Sequence, residues 1–191
     1  MLITLDEETH IYRDENGRVI PSVTQIINAA FPFVSHSNDG GVYYRERGKA
    51  VHLAIHYIEK GTLDPSSVEK EIWPYIKAYF QFKKDFKHKT LATEERVYHK
   101  TYDYCGTLDR RTRGAIWDYK TGVNRYVDGL QLCAYSHAKG MPDADRYSVY
   151  LRPTGKYKIE SHERDRSLFP TFLACKQIYQ VKNLHGLLNL N

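Results

Sequence analysis

The chain has 191 residues, 41% of them hydrophobic, with 28 Lys and Arg against 23 Asp and Glu, a formal charge of +5 and a pI near 9.0. That length and apolar content suit one domain, 1–191, with an ordinary core, and the excess of cations suits a polyanionic partner without requiring one. No stretch approaches the roughly 18 apolar residues of a membrane span, and the first ten residues lack the basic start and apolar run of a signal peptide, so a cytoplasmic protein with no membrane partner is expected.

Ile3 to Tyr12 predicts a strand, Asp14-Glu15-Asn16-Gly17 a tight turn and Val19-Ile20 a second strand, because Asn-Gly favours the positive φ of hairpin turns. Pro21 closes the hairpin, and Ser22 is placed to cap a helix through Ile26 and Ile27. Phe31 to Gly41, with its Pro, Ser, Asn and Gly, predicts a loop. Tyr43 to Lys60 has helical spacing, with Val51, Ile55 and Ile58 as its apolar stripe, Gly48 interrupting it and Gly61 as the stop. A second helix runs from Ser66 to Phe86 and tolerates Pro74 only as a kink or a break. Its aromatics, Trp73 to Phe86, read as core rather than as a base-stacking platform.

Thr93 to Tyr98, Tyr104 to Arg111 and Ala115 to Lys120 predict three consecutive strands. A helix over Val127 to Lys139 ends at Gly140; strands follow over Asp145 to Leu151 and Tyr157 to Ser161, then a helix over Ser167 to Leu188 with Pro170 in its first turn. Cys105, Cys133 and Cys175 are far apart and odd in number, which reads as reduced thiols.

Chemistry concentrates in Gly106-Thr107-Leu108-Asp109 and Trp117-Asp118-Tyr119-Lys120-Thr121-Gly122. Strand side chains alternate, so Asp118 and Lys120 share a face and Tyr119 takes the other. A two-residue turn sets Asp109 opposite Asp118 and a three-residue turn offsets them by one; the sequence admits both. Neighbouring carboxylates repel unless a cation lies between them, and hard oxygens suit Mg²⁺ or Mn²⁺. The Lys120 ammonium on that face can orient water or stabilise charge on a phosphoryl oxygen. Against this stands a plain surface ion pair, since Asp-x-Lys spacing is common. His52 and His56 form His-x-x-x-His, but Leu53 stands where a zinc-protease motif has glutamate, which rejects that chemistry. Glu94 and Glu95 point to opposite faces, and alternation does not choose between them.

Taken in order, Arg47-Gly48-Lys49-Ala50-Val51-His52, Glu94-Glu95-Arg96-Val97, the two aspartate segments and Gln131-Leu132-Cys133-Ala134-Tyr135 resemble the PD-(D/E)XK nuclease superfamily in its RecB-like exonuclease branch. Pro21 to Ile27 is similar to the opening of phage and mitochondrial genome-maintenance exonucleases. The resemblance implies an α/β fold, a restriction-endonuclease-like central mixed β-sheet flanked by α-helices. It implies His52, Asp109 and Asp118 as metal ligands, Lys120 as the catalytic lysine, and Gln131 and Tyr135 as a pair that meets the site or the DNA. The implied cofactor is Mg²⁺ or Mn²⁺. Some relatives carry four cysteines for an iron–sulfur cluster; with three unsuitably spaced cysteines here, none is expected.

The implied activity is a DNA exonuclease of recombination, repair or degradation, acting on single-stranded DNA or free ends in a bacterial or phage-infected cytoplasm. It would act alone or be delivered by a recombination or replication protein. Tyr43-Tyr44-Arg45 and Lys83 to Lys89 suit the entry of an unpaired strand. The rival readings are a non-catalytic nucleic-acid-binding module on a degenerate nuclease fold and a recombination adaptor.

Overall fold

The computed structural model describes residues 3–6, 9–32, 38–122, 126–162 and 165–188, the side chains of 38–40 excepted. The N-terminal segment expected as one strand is a hairpin: β1 (Thr4–Asp6) pairs antiparallel with β2 (Ile11–Arg13), Thr4 opposite Arg13. Period-two patterning cannot separate one strand from two that fold back on each other. β3 (Val19–Ile20) completes a three-stranded sheet. The Asp14–Gly17 turn forms as expected, with Gly17 at φ +79° and the Asp14 carboxylate accepting from the Asn16 and Arg18 N–H groups.

Ser22 caps α1 (Val23–Ala30) in a reciprocal box: its hydroxyl accepts from Gln25 N, and Gln25 Oε1 accepts from Ser22 N. Of the expected 31–41 loop, 33–37 lie outside the described residues, and the rest is shortened because α2 (Asn38–Lys60) begins at Asn38. A helical glycine costs only about 1 kcal/mol, which adjoining turns can offset. The expected Ser66–Phe86 helix is broken. Asp64 caps a short 3₁₀ turn (Pro65–Ser67), and α3 (Trp73–Asp85) starts afresh with Pro74 in its first turn, where the missing N–H costs nothing.

β4 (Ala92–His99), β5 (Tyr104–Thr112), β6 (Ala115–Lys120), β7 (Asp145–Leu151) and β8 (Tyr157–Ser161) form a second sheet in that order. All neighbours are antiparallel except β6 and β7, whose parallel pairing is made by the crossover through α4 (Val127–Ala138). The fold is therefore mixed α/β, a five-stranded mixed sheet flanked by helices. Alternation along β6 divides the core. Ile116 joins Val23, Ile26, Leu130 and Phe172, from α1, α4 and α5 (Leu168–Leu184), on one face. Trp117 and Tyr119 join Val51, Ile55, Ile76 and Phe82, from α2 and α3, on the other. Each such fully buried side chain stabilises the fold by about 1.5–3 kcal/mol. Among the described residues no helix is long and apolar enough to cross a membrane.

Candidate metal and catalytic site

The register around Asp109 builds the site. Arg113-Gly114 makes a two-residue turn, with Gly114 at φ +79°, and pairs Thr112 with Ala115, Arg111 with Ile116 and Arg110 with Trp117. The pairing ends there, and its two-residue turn is the first of the two arrangements that the sequence admits. There the ladder is replaced by a side-chain contact: Asp109 Oδ2 accepts from the Tyr119 N–H at 2.6 Å.

On the other side, Thr93 pairs with Arg110 and Glu95 with Leu108, so Glu94 lies across from Asp109. Glu94 has φ +49°, a left-handed conformation that is costly for a residue with a Cβ. The interruption also changes side-chain direction: Leu108 belongs to the α4 face, while Arg110 stacks over Phe82 and Trp117 on the α3 face. Glu94 thus lies beside Asp109 across two strands, and Asp118 is on the next strand, one residue before the Tyr119 N–H that Asp109 holds.

His52 reaches this group from α2, its Nδ1 3.2 Å from Asp109 Oδ1. One ligand atom each from His52, Glu94 and Asp109 lie within 4.8 Å of one another. Asp118 falls outside that trio, beside Lys120, whose Nζ is 2.7 Å from Asp118 Oδ2. The Lys120 ammonium thus gives the buried Asp118 carboxylate a charge-assisted contact. Lys120 also donates to Gln131 Oε1 at 2.7 Å and lies 3.9 Å from Asp128, which accepts from the Tyr150 hydroxyl.

Electrostatics follow from burial and crowding. Burial, with Asp109 nearby, pushes the Asp118 carboxyl up to about 6 against the pull of Lys120. Burial also raises Asp109, but the His52 charge and hydrogen bond outweigh it and hold it below the usual carboxylate range. Burial disfavours the charged imidazole of His52, yet Asp109 overcomes this and lifts it to about 9. Burial works against the Lys120 charge too, and the surrounding acids, Asp118 first, hold it above its ordinary value. Two cations are therefore held among a group of acids. An imidazole nitrogen with two carboxylate oxygens, beside a third buried carboxylate, is a donor set that fits a divalent cation.

The sequence-derived residues His52, Asp109, Asp118, Lys120 and Gln131 come together where α2 and α4 approach the end of β6. Tyr135 acts behind them. It is 5% exposed, its hydroxyl accepts from Gln131 Nε2, and its ring packs on Gly106, where an added Cβ would lie 2.5 Å from Cε1. The contacts of Gln131 and Tyr135 thus lead to Lys120 and the sheet. The sequence left Glu94 and Glu95 as alternatives and did not name Asp128. Glu95 goes instead to Arg111 and Lys139, each at 2.6 Å, a separation that only those partners reveal. Asp128 carried one usable signal, its place one turn before Gln131 on the same helix. His56 is apart from the site, its Nδ1 3.0 Å from Thr93 Oγ1. The three cysteines are free and buried, and burial pushes the Cys105 thiol up to about 12.

Neither models of known protein families nor curated proteins gave a match to this chain.

Proposed function

We propose that this protein is a metal-dependent nuclease that hydrolyses DNA phosphodiester bonds, acting on single-stranded DNA or free ends. The reading is carried by one observation: carboxylates from three adjacent strands, Glu94, Asp109 and Asp118, gather beside His52, with the Lys120 ammonium 2.7 Å from Asp118. The similarity of the ordered sequence segments to RecB-like nucleases supports it. His52, Glu94 and Asp109 would hold Mg²⁺ or Mn²⁺, with Asp118 adjoining. Such an ion supplies Lewis acidity, polarising the phosphoryl group and acidifying water.

The residues of the chain do the rest. Lys120 places a fixed positive charge where charge grows on a phosphoryl oxygen, and its burial strengthens that interaction over the same contact in water. Gln131 and Asp128 restrain its ammonium, so little reorganisation remains for the moment of reaction. Tyr135 and Gly106 anchor Gln131 to the sheet. The net charge of +5 favours the encounter with a polyanion.

The test is degradation of end-labelled linear single- and double-stranded DNA with Mg²⁺ or Mn²⁺, with EDTA as control and a covalently closed single-stranded circle alongside. Metal-dependent loss of label that falls by about 10²–10³ in Lys120→Ala supports the reading. Binding without cleavage under either metal overturns it, and equal cutting of circle and linear strand removes the requirement for an end.

A further inference from the structure

Two adjacent tyrosines on α2 stand largely in water, Tyr43 at 48% and Tyr44 at 59% exposure, with their rings edge to face at 5.5 Å. Exposed aromatic rings of this kind can stack on the faces of unpaired bases. Beside them the Arg47 guanidinium lies over the Tyr44 ring at 5.0 Å and over the buried Tyr75 ring at 4.9 Å. It also donates to the Thr121 carbonyl at 3.1 Å, the residue directly after Lys120. Among the described residues no acid forms an ion pair with Arg47, and its Nε is buried without a hydrogen-bond partner. A cation held between rings and tied to the edge of the acidic site matches a phosphate next to a stacked base.

We infer that Tyr43, Tyr44 and Arg47 form a stacking platform that selects an unpaired strand of DNA for the neighbouring site. The inference rests on the nuclease reading for what happens to the strand, while binding stands on its own. Tyr44, Gly48 and His52 follow at four-residue steps along α2, so the platform lies about 12 Å along the helix axis from His52. Inside a duplex both faces of every base are covered unless a pair is opened, at a cost of a few kcal/mol, and only the two terminal pairs offer a free face. A single strand offers one at each nucleotide.

The test reads binding without metal: fluorescence anisotropy, in EDTA, of the full chain with a labelled single-stranded oligonucleotide and a blunt duplex of equal length. The Tyr43→Ala/Tyr44→Ala variant is expected to weaken single-strand binding roughly five- to hundredfold and to leave duplex binding unchanged. Tyr44→Phe, which keeps the ring, should bind as the wild type does. A single-strand affinity unchanged in the double variant overturns the inference. So does an equal loss on both substrates, which would mean that the segment follows phosphates alone or that the variant is misfolded. Wild-type protein that discriminates single strands through these rings but cuts nothing with Mg²⁺ would sink the nuclease reading and keep the platform; wild-type cleavage with no such discrimination would do the reverse.

Discussion

A Cβ added at Gly106 would meet the Tyr135 ring at 2.5 Å from Cε1 and 3.4 Å from Cδ1 and Cζ, so Gly106→Ala isolates one contact behind the site. An ordinary carbon–carbon separation is ~3.5–4.0 Å, so ring and strand must part by at least about 1 Å. The ring has little room to retreat: Tyr135 is 5% exposed and its hydroxyl is engaged by Gln131, which in turn holds Lys120. Overpacking of this kind costs about 1–3 kcal/mol. At ~2–4 °C per kcal/mol for a chain of this size, the melting temperature should fall by roughly 2–12 °C. Thermal and urea unfolding of Gly106→Ala, Tyr135→Leu and the double variant would measure it. With Leu at 135 the obstructing ring atoms are gone, so the alanine penalty should shrink, with a coupling of about 1 kcal/mol or more. Melting of Gly106→Ala within about 1 °C of wild type, or the same penalty in both backgrounds, would refute the steric account.

Removing the restraint on Lys120 should cost less than removing Lys120 itself: Gln131→Ala is expected to lower the nuclease rate about ten- to hundredfold in a steady-state assay, against about 10²–10³ for Lys120→Ala. Mn²⁺ at about a hundredfold excess over its Kd should raise stability by about 2.7 kcal/mol in a thermal-shift measurement. Asp109→Asn and His52→Ala should abolish that rise, and an undiminished rise in both would place the ion elsewhere. Glu59 supplies a pH dependence away from the site. Burial raises its carboxyl, but Lys83, Thr90 and Tyr79 outweigh burial and hold it below its ordinary 4.5. A carboxyl depressed in the folded state contributes stability above its unfolded value and loses it as pH falls through the folded one. Glu59→Gln should therefore be less stable at neutral pH and show a shallower loss of stability as pH falls below about 4.5, as read from urea midpoints. An acid limb as steep as that of the wild type would argue against the pairing.

Much of the architecture was legible in local patterning. The boundaries of β6, β7 and β8, the Ser22 cap and the turn at Gly17 follow from alternation, capping chemistry and the φ preference of glycine, all set by residues a few positions apart. Asp118 and Lys120 on one face of a strand, and the approach of Asp109, were readable for the same reason. Short-range rules left two outcomes open at two places: Ile3 to Tyr12, expected as one strand, forms two, and Pro74, admitted as a kink or a break, marks a break.

What the sequence by itself determined, then, was the order of elements and the strand bearing Asp118 and Lys120, because spacing of two or three to four residues carries that information. Tertiary structure alone decided which glutamate joins the group: Glu95 is drawn to Arg111 and to Lys139, 44 positions away, which leaves Glu94 beside His52 and Asp109. It also decided that Arg47 is held between Tyr44 and Tyr75 and that Tyr135 lies against Gly106. Contacts between residues remote in the chain depend on how helices and strands pack, and no local periodicity encodes that.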